Sequence, residues 1–308
     1  MILTVTANPA IDRVYFINDF EIGKVSRATK ISRSAGGKGL NVARVAHLIG
    51  RETAAMGFVG GYTGDFIETE IEKQGIKNLF TRIEEETRTC INISDENGLS
   101  GEILERGPEV SEEEKNRFVK EFSLNIENYN IICVSGSLPR GLTSDFYIEL
   151  IKIAREKNKK IIVDTSGKTL EDILSAKPYM VKPNQDEVSA LMNKEISADK
   201  DIKEALLFLN EKGVEVPLLS LGKDGAAAMI EGRFYKFFTQ SVKVVNAVGS
   251  GDSSVAGIAA GLDMGYTIED AIKLGMASGT ANTQFAQTGM VTKELVDKFF
   301  GEIKVEMI

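Results

Sequence analysis

Six short apolar runs recur along the chain, each separated from the next by polar sequence, and this rhythm restricts the fold more than any other feature. The runs are "ILTVTA" (2–7), "TAAMGFVG" (53–60), "NIICVSG" (130–136), "KIIVDTS" (160–166), "YMVK" (179–182) and "VPLLSLG" (216–222). Segments of helical periodicity lie near 39–49, 64–74, 111–124, 143–157, 184–193 and 199–212. Such alternation predicts a mostly parallel sheet covered by helices on both faces, because apolar strands need cover on each side. A chain of 308 residues is long enough to fill that core.

Two segments break the rhythm. Residues 13–34 and 87–107 alternate in polarity and carry turn residues, the second with an Asn97-Gly98 hairpin signal. They read as antiparallel strands outside the main sheet, either a lid or a sheet edge. With no internal repeat, low-complexity stretch or Pro-rich linker, residues 1–308 are expected to form one domain with an excursion.

Composition prunes the chemistry. A formal net charge of -8 argues against a nucleic-acid surface but leaves room for a local basic pocket. No apolar run is long enough to span a membrane, and "MILTVTANPA" lacks the pattern of a signal peptide, so a cytoplasmic protein is expected. Cys90 and Cys133 offer neither a disulfide framework nor a zinc site and read as buried thiols. His47 is the only histidine and sits on an expected helix, which leaves carboxylates as the main candidates for general base.

Three glycine-rich places need an explanation: "SAGGKGLN" (34–41), "SLGKDGA" (220–226) and "AVGSGD" (247–252). Neither the GxxxxGK[ST] phosphate loop nor the GxGxxG dinucleotide pattern is present. Each cluster alone is compatible with a tight turn, yet all follow expected strands, where open α/β sheets bind ligands. Asp252 falls in the first turn of a helix that reads from the glycines through Gly261. It either supports the helix dipole or accepts a hydroxyl proton in phosphoryl transfer, with the amides of Gly249, Ser250 and Gly251 facing the phosphoryl group. In "VKPNQDEVSAL" (181–191), Asn184 and Glu187 form either a capping box or a seat for hydrated Mg²⁺.

The ordered set "GGKGLN" (36–41), "KPNQDE" (182–187) and "VGSGDSSVAG" (248–257), with "NPAID" (8–12) and "SGSLP" (135–139), resembles the PfkB or ribokinase-like carbohydrate kinases over the whole chain. The resemblance implies a three-layer α/β/α fold with a small antiparallel β lid, which often also serves as a dimer interface. Lys38 within GGKG, together with "ETRTCINI" (86–93), "EILERGPEV" (102–110) and "AQTG" (286–289), is most similar to the sugar-phosphate branch that phosphorylates tagatose 6-phosphate. It implies ATP and Mg²⁺ as cofactors and tagatose 1,6-bisphosphate as product, with fructose 1-phosphate as the alternative substrate. By the same resemblance Asp252 is the base, and Gly249, Ser250 and Gly251 form the anion hole. Asp12, Gly36, Gly37, Lys38, Asn41, Arg88 and Ser137 match sugar-phosphate positions. Asn184 and Glu187 match the magnesium motif, Lys182, Ser220, Gly222, Lys223 and Gly225 flank the nucleotide, and Asn282 falls where the family closes around adenosine. Ser250 departs from the alanine that many relatives carry. Lys38 and Arg88 also supply the local positive charge a sugar phosphate needs in an acidic protein. From other classes, an inactive sugar-phosphate sensor is disfavoured by the intact Asp252, Asn184 and Glu187, and a nicotinamide dehydrogenase by the failed fingerprint.

Overall fold

The apolar runs line up side by side in the structure, a computed structural model that describes residues 1–95 and 98–308. The parallel part of the sheet runs β5 (Lys77–Asn78), β4 (Thr53–Val59), β1 (Ile2–Thr6), β9 (Ile131–Ser135), β10 (Lys160–Asp164), β11 (Met180–Val181) and β12 (Val216–Ser220), with β6 (Thr81–Arg82) also on β4. Three antiparallel strands extend it past β12: β13 (Ala226–Ile230), β14 (Arg233–Phe238) and β15 (Lys304–Met307). The strand–helix rhythm does not announce these three. β13 is "AAAMI", weak in intrinsic β preference, and it is held by pairing on both sides and by burial.

Strand alternation divides the core into two layers. Leu3, Val5, Met56, Phe58, Ile132, Val134, Ile161 and Val163 face α3 (Glu112–Asn125), α4 (Ser144–Glu156), α5 (Gly167–Ile173), α6 (Gln185–Met192) and α7 (Asp199–Glu211). Ile2, Cys133, Ile162, Met180 and Val216 face the other way, onto α1 (Lys38–Leu48), α8 (Ser250–Asp263), α9 (Ile268–Asn282) and α10 (Lys293–Phe300). α2 (Gly61–Lys73) packs with α1 over Ala55 and Val59. The result is the expected three-layer α/β/α arrangement. Both cysteines are buried free thiols, and His47 packs its ring against Gly75.

α2 begins three residues before the sequence periodicity suggests. Its start is capped from outside: the Thr63 amide donates to Glu86 Oε1 at 2.7 Å, from a residue 23 positions away. Such a cap leaves no local signature. By contrast, α3 starts with a capping box in which Ser111 and Glu114 bond each other's backbone, all within four residues.

A second sheet stands apart from the first, with strand order β3 (Lys30–Gly36), β2 (Ala10–Phe16), β7 (Arg88–Asp95), β8 (Gly98–Leu104). The neighbours in sequence pair antiparallel, and the parallel pair β2–β7 joins them. Asn97, half of the expected hairpin signal, lies outside the described residues. Among the described residues no helix is long and apolar enough to cross a membrane.

Candidate active site

The carboxyl ends of the parallel strands carry polar groups: Thr6, Ser135, Asp164 and, one residue past β11, Lys182. Asp164 shares the parity of Ile162, whose side chain packs in the layer of α1 and α8, so its carboxylate emerges toward those helices. There it lies 3.4 Å from Lys182 Nζ and 3.7 Å from Lys38 Nζ. Burial opposes the charge on Lys38, but Asp164, Asp252 and Glu187 outweigh it and hold the ammonium above its usual range. A Cβ on Gly251 would sit 3.5 Å from Lys182 Nζ, so this lysine borders the turn that opens α8.

That turn depends on Gly249, whose φ of 81° is left-handed and whose missing Cβ would otherwise approach Thr288 Cγ2 within 2.5 Å. Asp252 follows in the first turn of α8, 7% exposed, with Oδ2 accepting from Asn41 Nδ2 at 2.8 Å. Burial pushes its carboxyl up to about 6, and Asp164 adds to this, while Asn41, Lys38 and Lys182 pull the other way. The Ser250 amide is spent on Ala247 O at 3.2 Å, closing the turn. Among the described residues no protein acceptor meets the amides of Gly249, Gly251 and Asp252, so of the expected trio only the Ser250 amide is spent.

Asn184 and Glu187 form a capping box at the start of α6. Asn184 Oδ1 accepts from the Glu187 amide and Glu187 Oε2 from the Asn184 amide, both at 2.8 Å. Glu187 Oε1 remains available, and this carboxylate is among the charges that hold the Lys38 ammonium above its usual range. Ser220 donates from its amide (2.9 Å) and its hydroxyl (3.2 Å) to Pro183 O, joining the end of β12 to the segment that carries Lys182. Gly222 and Lys223 then lie in an exposed 3-10 turn, Gly222–Asp224, which Gly225 closes with a φ of 93°. A cavity of about 430 Å³ beside this turn is lined by Gln185, Leu221, Lys223, Lys236 and Phe238 among others.

On the other side, Ala10 of β2 stands opposite both Gly36 and Arg88, which gathers the root of the small sheet beside α1. The Asp12 carboxylate packs against Gly36, where any Cβ would collide with it. Burial raises this carboxyl to about 6 against the pull of Arg88 and Arg44. Arg88 donates to Asn8 O and Glu105 O, both at 2.9 Å, and its buried Nε has no partner among the described residues. Asn8 Nδ2 reaches Arg106 O at 3.0 Å and Ser137 Oγ at 3.5 Å, so Asn8 ties the small sheet to the loop after β9. Gly37 caps α1 at a φ of 124° and Lys38 is its first residue.

Asn282, expected beside adenosine, lies behind the turn that opens α8. Asn282 is fully buried and its amide is consumed inside the protein: Nδ2 donates to Val248 O at 2.9 Å, and Oδ1 accepts from the amides of Gly289 and Met290 at 2.8 and 3.2 Å. It braces the turn before α8 against the loop after α9. Three residues of the site were missed by sequence reasoning: Asp164, Asn8 and Arg44. Asp164 has a local signal, a charged residue ending an apolar strand, as Lys182 does, and Asn8 opens the "NPAID" motif; Arg44 has none.

A buried carboxylate in the first turn of a helix, lysines beside it and free helix-start amides, all at the carboxyl edge of a covered parallel sheet, mark an α/β enzyme that transfers a phosphoryl group. The chain belongs to the pfkB family of carbohydrate kinases, which it matches over residues 5–293. It is 41% identical over 308 residues to the tagatose-6-phosphate kinase of Staphylococcus epidermidis, covering 99% of each chain. Among solved structures, phosphofructokinase-2 of Escherichia coli in complex with potassium superposes with a TM-score of 0.92 at 27% identity, covering 98% of each chain. The same enzyme in complex with fructose 6-phosphate gives 0.90, again at 27% identity and 98% of each chain. The chain is thus an enzyme, a kinase of sugar phosphates.

Proposed function

We propose that the enzyme transfers the γ-phosphoryl group of ATP to the C1 hydroxyl of tagatose 6-phosphate, giving tagatose 1,6-bisphosphate and ADP. Full-length identity of 41% to a tagatose-6-phosphate kinase is the observation that carries the substrate. Asp252 accepts the hydroxyl proton as the new O–P bond forms and the bond to the ADP oxygen breaks. The amides at the start of α8, provided by Gly251 with the Gly249–Ser250 turn behind it, face the transferring group, and Lys182 and Lys38 neutralise charge around it. Lys38, Arg88, Asp12, Gly36, Gly37, Asn41 and Ser137 form the sugar-phosphate side. Ser220, Gly222, Lys223 and Gly225 line the nucleotide side.

Asn184 and Glu187 suit Mg²⁺ in spite of the capping box, because a hard cation that keeps most of its waters needs little more than the remaining Glu187 oxygen. When bound, Mg²⁺ shields the phosphate charges. The small sheet acts as a lid on one kinase domain, residues 1–308, and its exposed Ile31 and Ile103, which share the face opposite Asp12, fit a second copy of the chain. One solved form of the Escherichia coli phosphofructokinase-2 is tetrameric, which supports assembly as a family property. A cytoplasmic location goes with this reading, since its charged substrates do not cross a bilayer unaided.

The test is kcat/KM for tagatose 6-phosphate, fructose 6-phosphate and fructose 1-phosphate under equal conditions. Tagatose 6-phosphate is expected to lead. A clear preference for fructose 1-phosphate overturns the substrate and leaves the kinase standing. A Lys38→Ala variant that folds is expected to lose activity on all three.

A further inference from the structure

Arg44 lies on α1 one turn after Asn41 and is 7% exposed, yet all three of its nitrogens are bonded. Nη1 donates to Asn41 Oδ1 at 3.0 Å, Nη2 to Ala35 O at 2.7 Å and Nε to Gln74 Oε1 at 2.9 Å. These partners are neutral oxygens, so the arginine is not held there as half of an ion pair. A buried guanidinium is costly, and an apolar side chain would pack in that position more cheaply. Burial indeed lowers its proton affinity, against the influence of Asp12 and Glu70.

A guanidinium has donors and no acceptor, which decides the neighbouring amide. The Asn41 atom turned toward Arg44 must be the oxygen, so the atom left facing Asp252 Oδ2, at 2.8 Å, is the donor Nδ2. An asparagine without such a partner can flip and set its oxygen against a carboxylate. The backbone of Gly289 closes over the pair: a Cβ there would lie 3.0 Å from both Arg44 Nη1 and Asn41 Oδ1. Gly289 is in turn fixed by Asn282.

We propose that Arg44 is a positioning residue, which locks the Asn41 amide so that a donor always faces the Asp252 carboxylate and keeps it ready to accept a proton. The inference rests on Asp252 being the base. Asp252 is also faced by Lys38 from α1, Asp164 from β10 and Lys182 after β11, and Arg44 by Asp12 from β2 and Glu70 from α2.

The experiment is a double-mutant cycle of Arg44→Met and Asn41→Ala, reading kcat, KM and the acid limb of the kcat–pH profile with tagatose 6-phosphate and ATP. Arg44→Met alone is expected to lower kcat on the order of 10-fold, more than it changes KM, and to move the acid limb to higher pH. In the Asn41→Ala background it should add little, since the amide it orients is gone. Arg44→Lys should recover part of kcat. Equal effects in both backgrounds, or an unmoved limb in Arg44→Met, overturn the proposal, because the arginine would then act through Asp12 or through packing. If Arg44→Met does not fold, Gln74→Met loosens the same guanidinium from its half-buried end and should move the limb in the same direction; an unmoved limb there also overturns it. Asp252→Asn run alongside separates the two ideas. Near wild-type kcat in that variant removes the base itself, whereas an inactive Asp252→Asn with no coupling between Arg44 and Asn41 removes only the role of Arg44.

Discussion

Burial and function pull against each other at Asp252. The base works as a carboxylate, but its surroundings favour the protonated form and raise its pKa to about 6. Activity should therefore fall as pH drops through about 6. Asp12 titrates in the same window, so the acid limb of the kcat–pH profile is expected to be steeper than one proton. The effect on stability has the opposite sense. A folded-state pKa above the unfolded value contributes stability at low pH that is lost as pH rises through about 6, so the neutral-pH enzyme carries a carboxylate that weakens the fold. Asp252→Asn should then cost at least ~10² in kcat while nucleotide binding survives and Tm at pH 7 holds or rises. Near wild-type kcat, or a large fall in Tm with lost binding, would count against this account.

Helix starts show which elements can be read locally. The box of Asn184 and Glu187 is written in four consecutive residues and is recognisable from them, as is its other reading, a seat for Mg²⁺. Glu86 capping α2 comes from a distant segment and leaves no trace at residues 61–63. The helix that carries Asp252 depends on another element throughout its length. α8 meets α9 through glycines, and a Cβ on Gly257 would come within 2.5 Å of both Leu274 O and Ser278 Oγ. Gly257→Ala must push the helices apart, at a cost of about 1–3 kcal/mol. A lower denaturation midpoint in urea is the expected outcome, with kcat reduced as well because α8 sets the position of the base. Unchanged stability would mean that the helix pair is looser than its geometry implies.

For the whole molecule, the open question is how the small sheet moves relative to the large one. If it covers the sugar phosphate, amide exchange in 13–34 and 87–107 should slow when sugar phosphate and nucleotide are both bound, more than with either alone. Protection confined to 220–252 would leave the small sheet a structural or subunit-contact role. The layers, their order and the positions of the glycine turns were legible from sequence, because periodicity, turn chemistry and helix caps act over a few residues. The antiparallel edge of β13 to β15 was not, since its weak strand formers are held by neighbours far away in the chain. The site divides in the same way. Asp252, Lys38, Asn184 and Glu187 announce themselves by local pattern. That Asp164 stands between two lysines follows from the parity of β10 and the parallel register that sets it opposite Ser135. That Arg44 orients Asn41 toward Asp252, 211 residues away, follows from α1 packing on α8. Local rules act on neighbours in sequence, whereas charge and hydrogen bonding act on neighbours in space, and only the packed chain determines which residues those are.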